Sequence, residues 1–112
     1  MVVDSYESAL KRRGNTLTNY ISKKINVPIR LVYSKPCKDA DGQTVCSREI
    51  IIIYWNKSDW EWLREVIVHE SAHRLDHAFR GFKHHNPSYE HDLYFWECYN
   101  YVMKIANTSH IW

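Results

Sequence analysis

Ser58 to Phe79, SDWEWLREVIVHESAHRLDHAF, is the stretch that decides how the rest of the chain reads. Its opening, Ser58-Asp59-Trp60-Glu61, has the form of a capping box, with serine at the cap and glutamate three residues later. Leu63, Val66, Ile67 and Leu75 continue at helical spacing to about Phe79, and Gly81 can stop the helix. Inside it lies His69-Glu70-Ser71-Ala72-His73. Two imidazoles four residues apart share one helical face and can reach one metal ion. Glu70, next to the first of them, can hold a water on that ion and take its proton. Shuffled chains of this composition carry H-E-x-x-H in roughly 3% of cases, so the context matters. Here the motif lies well inside a long predicted helix that follows a strand.

Composition bounds the setting of that helix. The chain of 112 residues, 45% hydrophobic and 14% aromatic, supports a single domain spanning 1–112 with one core. Fifteen basic against thirteen acidic residues give a formal charge of +2, too small to announce nucleic acid or an anionic membrane. No apolar run approaches the ~18 residues of a membrane span, and Met1 to Glu7 does not open like a signal peptide. These features point to an intracellular, soluble, cytoplasmic chain, although a mature secreted chain would read the same way. Cys37, Cys46 and Cys98 cannot make a four-thiolate zinc site.

Working outward toward the N-terminus, Tyr6, Leu10, Leu17 and Ile21 fall at helical spacing from about Asp4 to Ile25, with Asp4 or Ser5 as cap. Gly14 sits in the middle and predicts a bend or break there. The basic residues Lys11, Arg12, Arg13, Lys23 and Lys24 read as a solvated helix face. Ile29 to Tyr33 and Ile50 to Tyr54 read as strands. If Asp41-Gly42 forms a two-residue turn between them, the strands form an antiparallel hairpin in which Ile29, Leu31 and Tyr33 oppose Tyr54, Ile52 and Ile50. The same register sets Cys37 opposite Cys46, where a disulfide or two free thiols would fit. Toward the C-terminus, Lys83-His84-His85 reads as a loop, and Asn86-Pro87 as the cap and first turn of a last helix. That helix presents Phe95, Tyr99, Val102 and Met103 to the core as far as about Ala106. The tail from Asn107 to Trp112 is expected to be loosely ordered, with Ile111 and Trp112 able to tuck back.

A tetrahedral catalytic zinc takes three protein ligands and leaves one position open. His69 and His73 supply two. The third comes from His77, His84, His85, Glu90, His91 or Glu97. His77 lies one turn further along the same helix, which curves away. His91 and Glu97 lie on the next helix, which can cross back, and Glu90 points elsewhere if His91 points inward.

His69-Glu70-Ser71-Ala72-His73 followed by His91-Asp92-Leu93-Tyr94-Phe95-Trp96 resembles the core of SprT-like and WLM-type zinc metallopeptidases. In those families H-E-x-x-H is followed by a histidine that opens a helix and an aromatic residue four positions later, here Phe95. The likeness covers about Ile50 to Ala106 and carries the third-ligand role onto His91. His85 and Glu97 remain as competing placements. Asp92 stands where SprT-like chains usually have glycine. The likeness implies a minimal zincin-like α+β domain: an N-terminal helix, a small antiparallel sheet, the H-E-x-x-H helix and a C-terminal helix. It further implies a Zn²⁺-dependent metalloendopeptidase with Glu70 as general base, His69, His73 and His91 as metal ligands, and a protein or peptide substrate. Two other readings stand beside it: a protease acting on DNA-associated proteins, and a non-catalytic binding module stabilised by zinc.

Overall fold

In the computed structural model, which describes residues 5–81 and 91–111, helix α1 runs unbroken over Tyr6–Ile25. The Ser5 hydroxyl caps it by accepting from the Ser8 amide at 3.1 Å. At the other end Asn26 turns left-handed, at φ 57°, before Pro28. Leu10, Leu17 and Ile21 are buried along one stripe, as their spacing predicts. The break expected at Gly14 does not occur. Glycine is there because of a close approach: a β-carbon at Gly14 would come 2.3 Å from the Tyr33 hydroxyl and 3.2 Å from both Ile67 and Leu63. That hydroxyl donates to the Lys11 carbonyl at 2.8 Å.

The sheet differs from the expected hairpin. Strands β1 (Arg30–Ser34), β2 (Gly42–Val45) and β3 (Ile50–Tyr54) form a mixed sheet in the order β1-β3-β2. β1 pairs parallel to β3, Arg30 with Ile50 through Ser34 with Tyr54, and β2 pairs antiparallel to β3, Gly42 with Ile53 through Val45 with Ile50. The antiparallel turn is therefore made by the 3₁₀ segment Cys46–Arg48 and by Glu49, which takes the left-handed conformation at φ 57°. Asp41-Gly42 makes no two-residue turn between the predicted strands; Gly42 opens β2. Its glycine is again about room, since a β-carbon there would lie 2.8 Å from Val66 Cγ1 and 3.0 Å from Glu70 Cγ.

The observed pairing also separates Cys37 from Cys46. Cys37 follows β1 and its amide donates to Asn56, beyond the C-terminal end of β3, whereas Cys46 lies past the N-terminal end of the same strand. Five strand residues at ~3.3 Å each put them well outside the ~4 Å between β-carbons that a disulfide needs. All three cysteines are free thiols.

Helix α2 (Trp60–Arg80) packs against both other helices and against β2 and β3. Its capping residue is Asp59 and not Ser58. The Ser58 hydroxyl instead donates to Glu7 at 2.9 Å and ties the start of α2 to the start of α1. Arg74, buried on α2, donates to the Pro28 carbonyl at 2.7 and 3.2 Å, which fixes the connection between α1 and β1. Lys11 lies over the Trp55 ring and Arg13 over Trp60, so two of the basic residues read as solvated cover indole faces instead.

Helix α3 spans Leu93–Thr108, two residues beyond the expected end, with Phe95, Cys98, Val102 and Ala106 buried. It is capped by Asp92, whose carboxylate accepts from the Phe95 amide at 3.0 Å. The start expected at Asn86-Pro87 falls outside the described residues, as does the loop Lys83-His84-His85. Ile111 packs back on the core.

Gly14→Ala should destabilise the fold by about 1–3 kcal/mol in urea unfolding, because overpacking outweighs the ~1 kcal/mol gain in helix propensity. Tyr33→Phe should recover part of the loss by removing the clashing oxygen. A more stable Gly14→Ala variant would contradict this packing.

Candidate metal centre

The face of α2 that carries His69 and His73 follows from its period. His69 and His73 lie one turn apart, with ring centroids separated by 5.0 Å, while Leu63, Ile67, Val68, Ala72 and Leu75 bury the other faces. His91 stands in the turn just before α3, not on the helix, and its ring lies 5.1 Å from His69 and 5.0 Å from His73. The three side chains each offer a ligand nitrogen, and these atoms all lie within 4.8 Å of one another. His69 Nε2 and His91 Nε2 are 3.2 Å apart. Two nitrogens on one tetrahedral zinc at 2.0–2.1 Å stand roughly 3.3 Å apart, so this pair has the separation the ion requires. Burial and then the neighbouring His91 pull His69 below its ordinary pKa, with Glu65 opposing. That favours the neutral imidazole a metal needs.

Among the described residues no other group of three or more such side chains gathers in this way. His77 and Glu97 do not join the cluster, and Glu97 is exposed on α3. His84, His85 and Glu90 lie outside the described residues.

Phe95, fully buried, forms the floor of the centre. Its ring lies 4.4 Å from His73, 4.9 Å from His91 and 5.2 Å from His69. Trp96, more exposed, stands 6.2 Å from His91 and 6.4 Å from His69. Tyr99 closes the His69 side and donates to Glu65 at 2.5 Å; burial and that bond push its hydroxyl up to about 12.

Glu70, next to His69, is 7% exposed and meets the sheet. The Thr44 hydroxyl lies 2.7 Å from Glu70 Oε1 and 3.1 Å from the Glu70 carbonyl oxygen. Glu70 is thus held against β2. Nothing local in the sequence marks Thr44 as its partner, because strand pairing alone brings it there.

His91 is held by its neighbour. Arg80, at the end of α2, donates to both oxygens of Asp92, at 2.7 and 2.9 Å, and to both oxygens of Asp76. The clamp joins the end of α2 to the start of α3 immediately beside His91. Arg80 and then the Phe95 amide hold the Asp92 carboxyl down at about 2. Asp76 and Arg80, four residues apart on one helix, and Asp92 as a helix cap are signals carried by the sequence outside the H-E-x-x-H motif.

If His69, His73 and His91 hold zinc, Arg80→Met should leave His69 and His73 in place and weaken the binding about 10–100-fold in a chelator competition, the range expected for groups that orient ligands. Because the folded pKa of Asp92 is depressed, its contribution to stability is full above the ordinary carboxylate range and is lost as pH falls through about 2. The stability difference between wild type and Asp92→Asn should therefore be constant above pH ~5 and shrink below pH ~4. Unchanged zinc affinity in Arg80→Met would show that the clamp does not serve the centre.

No family model, curated protein or solved structure matches this chain. What the centre can do follows from its own geometry.

Proposed function

We propose that the protein is a zinc-dependent hydrolase of peptide bonds, with His69, His73 and His91 as ligands and Glu70 as general base. The observation that carries the reading is the convergence of three imidazoles, two from α2 and one from the turn before α3, with a buried carboxylate next to the first of them. Zn²⁺ held there would act as a Lewis acid, bringing the pKa of a bound water toward ~7 and polarising the carbonyl under attack. Glu70 takes the proton of the attacking water. As the carbon–nitrogen bond breaks, it delivers that proton to the leaving amine.

The choice of peptide bonds has two supports. One is the likeness of His69 to His73 and His91 to Trp96 to SprT-like and WLM-type peptidases. The other is the sheet edge. The Tyr54 amide donates to the Asp41 carbonyl at 2.9 Å, so the 41/54, 43/52 and 45/50 pairs exchange hydrogen bonds. Gly42 and Thr44 then turn their own amide and carbonyl groups to the outer edge of β2, which pairs with no other strand among the described residues, on the strand that touches Glu70. An extended peptide can add to that edge through main-chain bonds, which suits a substrate recognised by conformation more than by side chain. Among the described residues no helix is long and apolar enough to cross a membrane.

Glu70→Gln preserves size and removes the base. Hydrolysis of an unfolded protein such as casein should fall by ~10²–10⁴-fold while zinc remains bound. A Gln variant as active as wild type would overturn the mechanism. A protein that binds zinc but cleaves nothing, with or without DNA, would favour a zinc-stabilised binding module.

A further inference from the structure

Glu70 is held by β2 at two levels. Its stem meets the strand at Gly42, where a β-carbon would come 3.0 Å from Cγ, and its carboxylate meets Thr44 Oγ1 at 2.7 Å. The Thr44 hydroxyl has one hydrogen and two acceptors within reach, Glu70 Oε1 and, at 3.1 Å, the Glu70 carbonyl oxygen. A carboxylate is the stronger acceptor and the nearer one, so the hydrogen belongs to Oε1. Threonine also suits the task mechanically, because branching at Cβ restricts its χ1 and fixes where the hydroxyl points.

Thr44 has a second face. Its amide and carbonyl are directed to the outer edge of the sheet, which pairs with no other strand among the described residues, since Thr44 pairs with Ile51 in a position that exchanges no hydrogen bonds. We infer that Thr44 is a positioning residue that couples the base to the substrate strand: its hydroxyl orients the Glu70 carboxylate, and its main chain pairs with the extended peptide. The inference rests on the hydrolytic role of Glu70 proposed above. It adds that the reach of the base relative to the docked peptide is set by one residue of β2 and not by α2 alone. A backbone shift in β2 moves both the peptide and the carboxylate, so their mutual geometry is preserved.

The test compares Thr44→Val, which keeps the shape and loses the hydroxyl, with Thr44→Ser, which keeps the hydroxyl. On the full chain loaded with zinc, kcat for a peptide substrate should fall about 10–100-fold in Thr44→Val, as expected when a reacting group loses its alignment. KM and zinc stoichiometry should stay within about twofold of wild type, and Thr44→Ser should restore most of kcat. Thr44→Ala serves as a second variant without the hydroxyl if the valine protein does not fold. A readout independent of activity is the melting temperature. Thr44→Val should lower it in the wild-type background and should have little effect in Glu70→Ala, because the two side chains act through one bond. Full kcat in Thr44→Val, equal losses in the Val and Ser variants, or a rise in KM with kcat unchanged would each overturn the inference. A wild-type protein that cleaves nothing overturns the parent reading and this one together. A cleaving wild type with an unimpaired Thr44→Val variant overturns this one alone.

Discussion

Phe95 touches all three imidazole rings, and the arrangement of the centre depends on that contact. It is fully buried, and it lies on α3 four residues after His91 while resting on His69 and His73 of α2. Burying a phenylalanine is worth about 1.5–3 kcal/mol, and the same burial sets the distance between α2 and the start of α3 beside the three histidines. The Arg80 clamp on Asp76 and Asp92 controls the remaining freedom, because it fixes the first residue after His91 to the last turn of α2. Packing thus sets the separation, and ion pairing sets the turn.

The other half of the centre depends on the sheet. Glu70 meets β2, where Gly42 gives it room and Thr44 a hydrogen bond. β2 lies there because β3, with Ile50, Ile51 and Ile53 buried, occupies the middle of the sheet and leaves β1 and β2 as the two edges. A continuous run of isoleucines suits a central strand, and the short, polar Gly42–Val45 suits an edge.

The helices were legible from the sequence because the 3.6-residue period of their buried faces is a local property. Leu10, Leu17 and Ile21 announced α1, and Phe95 and Val102 announced the core face of α3. Strands β1 and β3 stand where their residue types predict, but their pairing and the strand β2 were not legible, for a physical reason. Parallel pairing between β1 and β3 joins segments twenty residues apart through an excursion that leaves no local mark, whereas Asp41-Gly42 carries a strong turn signal that the fold does not use. Both Gly14 and Gly42 are explained by what lies against them, and such contacts exist only once the chain has folded. In the centre, His69, Glu70 and His73 could be named from one helical turn. His91 was singled out through its spacing to Phe95 and a family likeness, and Thr44 could not be named at all, because its nearness to Glu70 is a product of strand order.

The proposed hydrolysis requires that three imidazoles hold one zinc and leave a position open. X-ray absorption at the zinc edge of the metal-loaded protein measures this directly. Ligation by His69, His73 and His91 gives a first shell of three imidazole nitrogens and one further light atom at about 2.0–2.1 Å, with one imidazole lost in the His91→Ala protein. A sulfur ligand near ~2.3 Å, a fourth imidazole, or a shell unaltered by His91→Ala would contradict it.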